Sequence, residues 1–276
     1  MGADGGADPR ALLKLSLILA AALSVLVALG LGLYADFGDL ENALADFHWA
    51  YFPGALALTA LNYLIRFVRW EVYLRRLGIA VPSGRSLAIF VAGLTMTLTP
   101  MKAGEVLKSG LLRRSFGTPF ARSAPIVLAE RVTDGIGAVI IAAVGLLWTG
   151  AGGHWLLLGL GAAGAVGLAA AVRAPMPARL ATARTAAIEV LGARLTLAMS
   201  VVAAISWFFE CLAAYLCIRG LGLDVSLADT AVVFTVATLA GAVSLLPGGL
   251  GVADAGMAGL LRALDVARAD AAAAPC

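Results

Sequence analysis

Long apolar runs alternate with short polar clusters along this chain, and the length of each run limits what it can be. Leu15 to Ala35 is 21 uncharged residues, enough for a membrane-crossing helix, which needs about 20. The pattern predicts spans at about 14–35, 47–66, 124–149, 154–172 and 196–218. Residues 135–172 are 38 uncharged residues, which GAGGH at 150–154 splits into two spans joined outside. Two apolar stretches fail the length test. SLAIFVAGLTMTLTPM (86–101) offers 16 uncharged residues with Pro100 near its end, so segment 86–108 is expected to enter the membrane and turn back. Ser244 to Asp254, SLLPGGLGVAD, repeats the design of apolar run, Pro, close glycines and acid, and segment 228–260 is expected to be re-entrant as well. Hydrophobic segments interrupted by Pro and Gly, one in each half, point to a transporter-type site.

Loop charges set the orientation. Residues 36–46 hold Asp36, Asp39, Glu41 and Asp46 and no base, whereas 66–85 hold Arg66, Arg69, Arg75, Arg76 and Arg85 against Glu71 alone. The positive-inside rule places the second loop, and with it the tail 1–13, in the cytoplasm. Were 86–101 to cross, the five bases from Lys102 to Arg122 would lie outside; a re-entrant hairpin keeps them inside. The resulting order is an inverted repeat: inward span 47–66, re-entrant element and outward span 124–149, then outward span 196–218 and an element entering from outside. That symmetry asks for a further inward span. Residues 261–276 carry Arg262, Asp265, Arg268 and Asp270 and read as a tail, so the final span is expected to be missing from this single transmembrane domain.

Composition fixes the class. The 276 residues are 61% hydrophobic and 13% charged, with mean hydropathy +0.95, where a soluble domain carries about 25% charged residues. The fold class is therefore all-α, a polytopic membrane protein. The net charge of +3 sits in short loops, which reads as orientation and anionic-lipid contact and excludes nucleic acid as a partner. Three cysteines and two histidines form neither a disulfide framework nor a metal cluster, so no metal and no cofactor is expected. The first run exceeds the 7–15 residues or so of a signal-peptide core and reads as an uncleaved span.

An ionisable group at membrane depth costs about 3 kcal/mol or more and needs a reason. Lys102, Gly104 and Glu105 follow Pro100 where a helix starts; freed N–H groups and the positive dipole end would suit a phosphate. The plainer alternative is that Lys102 snorkels to the interface and Glu105 caps a surface helix. Glu130 and Asp134 share a helix face, with Arg131 about 100° around. They form an interfacial charge belt or pair inward with Lys102, Glu105 or Lys108, locking the re-entrant loop. Glu210, in SWFFECLAAY, has no basic residue within eight positions and is a functional candidate or the partner of a residue elsewhere in the bundle. Pro247, Gly248, Gly249 and Gly251 let the backbone turn tightly before Asp254. Trp70, Trp148, Trp155, Tyr34 and Tyr51 are expected as interfacial anchors. No nucleophile elbow, metal site or NTPase phosphate loop is found, so the chain does not read as an enzyme.

TPMKAGEVLKSGLLRR, LAERVTDGIG and SLLPGGLGVADAG together resemble the flippase-like membrane domain of lysylphosphatidylglycerol synthases and its stand-alone relatives. That family shows Pro-x-x-x-Gly-Glu, Glu-Arg-x-x-Asp and Leu-Pro-Gly-Gly-x-Gly segments in this order. The likeness marks Pro100, Lys102, Gly104, Glu105, Glu130, Arg131, Asp134, Pro247, Gly248, Gly249 and Gly251. The third motif usually ends in Glu; here it ends in Asp254, one methylene shorter. The resemblance implies movement of a polar or isoprenoid-type lipid between leaflets. It does not imply lipid aminoacylation, which in that family belongs to a separate soluble domain. It leaves the substrate open among lysyl-phosphatidylglycerol, polyprenyl-linked sugars and hopanoids. The site expected is Lys102, Gly104, Glu105, Glu130, Arg131, Asp134, Glu210, Gly249, Gly251 and Asp254 on anionic or polyprenyl-phosphate lipids, in a bacterial-type inner (plasma) membrane. An accessory subunit presenting a lipid-linked substrate to an envelope-biosynthesis enzyme is the alternative, and self-association as a homo-oligomer is left open.

Overall fold

A computed structural model of the protein describes residues 45–95, 103–150, 177–243 and 251–273, with scattered positions between 152 and 170. All regular structure among them is helical: α1 (Phe52–Arg76), α2 (Ser83–Thr95), α3 (Ala103–Phe116), α4 (Phe120–Trp148), α5 (Ala181–Val190), α6 (Ala193–Gly220), α7 (Leu227–Val243) and α8 (Val252–Ala273). The expected span 14–35, most of 154–172, Pro100, Lys102 and the run Pro247–Gly249 lie outside the described residues.

Residues 49–76 and 193–220 form helices long and apolar enough to cross a membrane. Both stop by the same device. After α1, Gly78 takes φ +66°, its N–H donates to Arg75 O at 3.0 Å and the Ile79 N–H to Leu74 O at 2.9 Å. After α6, Gly222 takes φ +77°, with Gly222 N–H to Arg219 O at 3.0 Å and Leu223 N–H to Ile218 O at 3.3 Å. These are Schellman motifs, in which a left-handed glycine lets the chain reverse onto the orphan carbonyls of the last turn. α7 starts on a side-chain N-cap, Ser226 Oγ accepting from the Asp229 N–H at 3.1 Å.

α1 and α6 run antiparallel, since the His48 N–H ahead of α1 donates to Gly220 O at the end of α6, 2.8 Å away. α4 packs across α6 at Gly137, where a Cβ would fall 2.8 Å from Ala204 N and 2.9 Å from the Ala203 carbonyl carbon. Only a glycine lets the two backbones meet so closely. α2 and α3, of 13 and 14 residues, pack against each other. Each is about 20 Å long, short of a hydrocarbon core of about 30 Å.

The apolar core gathers at the end holding the C-terminus of α1 and the N-terminus of α4, around Trp70, Leu74, Phe90, Leu112, Ile126 and Val190. There Arg122 grips Glu189 through two bonds of 2.8 and 2.9 Å, fixing α5 to the bundle. This is the basic end of the bundle. Two sequence expectations change here. α1 continues past position 66 to Arg76, so Arg66 and Arg69 are helix residues and not loop residues. Trp70, expected as an interfacial anchor, is wholly buried, because α2 lies against it: its indole N–H donates to Ser86 Oγ at 3.1 Å. Trp148 and Trp155 are exposed.

Candidate functional site

Along α1 the polar residues Asn62, Arg66, Arg69 and Tyr73 recur at intervals of four, three and four, which places them on one helix face. The stripe begins near the middle of the helix: Arg66 is ten residues, about 15 Å, from the helix's basic end. Facing it are Glu130, Thr133 and Asp134 of α4 and Ser206 and Glu210 of α6. Glu210 likewise lies ten residues from the end of its helix, so the charges meet at mid-bundle.

Asp134 is the hub. Its Oδ1 accepts from Arg69 Nη1 at 2.6 Å and its Oδ2 from Arg66 Nη2 at 2.8 Å, with Arg131 Nη2 3.7 Å away. Arg69, 2% exposed, donates its other amino group to Thr133 Oγ1 at 2.6 Å. A guanidinium can only donate, so the Thr133 hydroxyl proton is turned to Ala129 O at 2.8 Å. The Tyr73 hydroxyl, 3.4 Å from the same oxygen, then acts as a donor to it.

Glu130 holds a second tie, its Oε2 accepting from Lys108 Nζ at 2.6 Å. The ammonium also lies 4.6 Å from the centre of the Trp70 ring and 5.6 Å from that of Phe90, within cation–π range. Gly93 makes room for it, because a Cβ there would sit 2.5 Å from Lys108 Cγ. The pair joins α3 to α4, the inward pairing expected as one alternative for these acids. Glu210 has a lighter hold: Asn62 Nδ2 donates to it, Ser206 fixes the Asn62 oxygen from the other side, and Arg66 Nη1 stands 4.0 Å off.

The charged groups among these line one cavity of about 650 Å³. Four cations (Arg66, Arg69, Lys108, Arg131) and three carboxylates (Glu130, Asp134, Glu210) reach it. They are not equally available. Arg69, Lys108, Glu130 and Asp134 are buried and consumed by one another, whereas the side chains of Arg66 and Glu210 are each 23% exposed and that of Arg131 40%. Trp207, on the same wall, has a buried indole N–H with no hydrogen-bond partner among the described residues. A cavity of this kind suits a ligand with both acidic and polar groups.

Of the expected site residues, Glu130, Arg131, Asp134 and Glu210 come together in this cavity. Gly104 and Glu105 lie in the first turn of α3. Gly251, at φ +82°, and Asp254 lie together ahead of and inside the first turn of α8, the Gly251 N–H donating to Asp254 Oδ2 at 3.0 Å; neither lines the cavity. Arg66, Arg69, Asn62, Ser206 and Lys108 were absent from the expected site. The signal for three of them was present in the 62, 66, 69, 73 spacing, which a span ended at 66 cuts in half.

Fold and site define an all-α membrane protein that gathers ionised side chains between its helices. The chain belongs to the family described as the lysylphosphatidylglycerol synthase TM region, which matches residues 19–276. Among curated proteins it is similar to a UPF0104 membrane protein of Methanothermobacter thermautotrophicus, 41% identical over 56 residues, covering 20% of this chain and 17% of that protein. It is also similar to Glycosyltransferase AglD of Haloferax volcanii, 25% identical over 148 residues, covering 51% of this chain and 23% of that protein. The chain thus spans less than a quarter of either relative's length in the match. No solved structure matches it.

Proposed function

We propose that the protein takes the headgroup of a polar or isoprenoid-type lipid into the mid-bundle cavity and moves it between leaflets, without chemical change to the lipid. The observation that carries this reading is the cavity itself. About 650 Å³ is a ligand-sized volume, and an ionised lining at membrane depth marks a substrate pathway more often than a scaffold. The accessible groups suit a phosphate-bearing headgroup: Arg66 and Arg131 for the anion, the Trp207 N–H for an ester or sugar oxygen, and Glu210 for a hydroxyl or amine. In this reading the basic end and the N-terminus face the cytoplasm of an inner (plasma) membrane, and α2–α3 and α7–α8 are the two re-entrant elements of an inverted repeat. Lys102, Gly104, Glu105 and Gly249 are proposed as further contacts of the lipid.

The test is leaflet exchange of fluorescent anionic, lysylated and polyprenyl-phosphate lipids in vesicles containing the purified chain. Exchange of one class is expected, and Arg131→Ala, whose half-exposed side chain leaves the bundle intact, should cut its rate at least tenfold. Absence of exchange by folded protein overturns the reading. The likeness to a protein named as a glycosyltransferase favours a second one, an accessory subunit that presents a lipid-linked substrate to such an enzyme. It predicts co-purification with an enzyme and no exchange.

A further inference from the structure

Glu210 borders two cavities. Besides the charged one it closes the end of a groove of about 370 Å³, formed by α1, α6 and α7 towards the end opposite the basic one. The groove is built for hydrocarbon. Its floor is small, with Ala55 and Ala213 buried beside Ala214, and its walls are Phe52, Leu56 and Phe234. Thr59, the one hydroxyl among the described residues lining it, has that group's proton taken up by Ala55 O at 3.0 Å. The polar boundary falls at Glu210, which Asn62 holds on the cavity side.

Charged cavity and apolar groove share Glu210 in their linings and so succeed one another along α1, polar towards the basic end and apolar towards the other. From Arg66 to Phe52 is 14 residues, about 21 Å. A bilayer core of about 30 Å is two chains thick, so an acyl chain extends about 15 Å. Resting on the headgroup reading above, we infer that the groove seats one acyl chain of the glycerophospholipid whose headgroup occupies the charged cavity. A polyprenyl chain, several times longer, would overrun it. The direction follows from the path: headgroup towards the basic end, chain towards the opposite end. That is the head-to-tail direction of a lipid from the leaflet on the basic side, drawn inwards until its headgroup reaches mid-bundle, so this state is one loaded from the cytoplasmic leaflet in the proposed topology.

The experiment is binding of dioleoyl- and dihexanoyl-phosphatidylglycerol to the full chain in detergent, read by native mass spectrometry. Wild type is expected to prefer the long-chain lipid at least tenfold. Ala214→Phe fills the floor and should reduce that preference to twofold or less while leaving short-chain affinity unchanged. Leu56→Ser, at an exposed wall position, should weaken the preference in the same direction without added bulk, and so serves if the larger residue disturbs folding. A wild-type preference retained in both variants, as when another segment of the chain covers the groove, overturns the inference, and so does a wild type indifferent to chain length. A wild type that binds neither lipid overturns the headgroup reading instead.

Discussion

Asp134 and Asp254 each close a motif, LAERVTD in one half of the chain and LLPGGLGVAD in the other, yet they work in unlike ways. Asp134 is the fifteenth residue of α4, far from that helix's unpaired amides. Buried there, it has to find its donors on another helix, and it finds Arg66 and Arg69 on α1. Asp254 is the third residue of α8, where backbone N–H groups lie unpaired within its own turn, and it accepts the one from Gly251. The first acid spends its charge on tertiary structure and the second on its own helix. Position within the helix, and not the motif letter, decides between them.

The largest effect should come from breaking the buried hub. Asp134→Asn preserves shape but leaves the Arg69 guanidinium, 2% exposed, without a counter-charge. Removing one partner of a buried pair costs about 3–5 kcal/mol. A large fall in the thermal midpoint of the detergent-solubilised protein is expected, and a midpoint within a degree or two of wild type would remove Asp134 from its place as the tie between α1 and α4.

Next is the Lys108–Glu130 pair, which tests whether a buried tie on this side is electrostatic in net terms. Lys108→Met should cost about 3 kcal/mol, because it strands the Glu130 carboxylate. Adding Glu130→Leu should restore most of the loss, since a buried pair replaced by apolar groups of similar volume is close to neutral. Unfolding midpoints of the two single variants and the double variant close the cycle. A double variant as unstable as the sum of the singles would mean that packing of the Lys108 stem against Gly93 and Trp70, and not charge, holds α3 to α4.

The class of fold was legible in composition and run length because the bilayer imposes both: few charges, and apolar runs of spanning length. Half of the cavity was legible too, since Glu130, Arg131, Asp134 and Glu210 are costly at membrane depth and drew attention singly. Their partners were not. Arg66 and Arg69 sit where an apolar run meets a basic cluster, and the positive-inside rule accounts for them there without any burial. Only the helix's continuation to Arg76, ended by Gly78, turns them inward. Asn62 and Ser206 carry no charge and stand as single polar residues within apolar runs, although they fix the orientation of Glu210. Trp70 misled for a related reason: an aromatic near the end of an apolar run reads the same whether the next contact is lipid or α2.

The smallest effect should come from Asp254, and it discriminates most finely between the two acids. As the third residue of its helix it supplies an acceptor to the Gly251 N–H and a negative charge near the positive helix end. Both are local and exposed, so Asp254→Ala should cost only about 0.3–1 kcal/mol. Asp254→Glu should change stability even less, because glutamate at this position reaches the same N–H in a capping box. The same substitution at Asp134 cannot be absorbed. Its two oxygens are set against separate arginines at 2.6 and 2.8 Å in a packed interior, and an extra methylene there costs about 1–3 kcal/mol. Unfolding of the two Asp→Glu variants side by side therefore measures the difference between a charge that organises the bundle and one that finishes a helix. Equal losses at the two positions would show that Asp254 has a partner beyond its own turn, and would bring it back among the residues that act on a ligand.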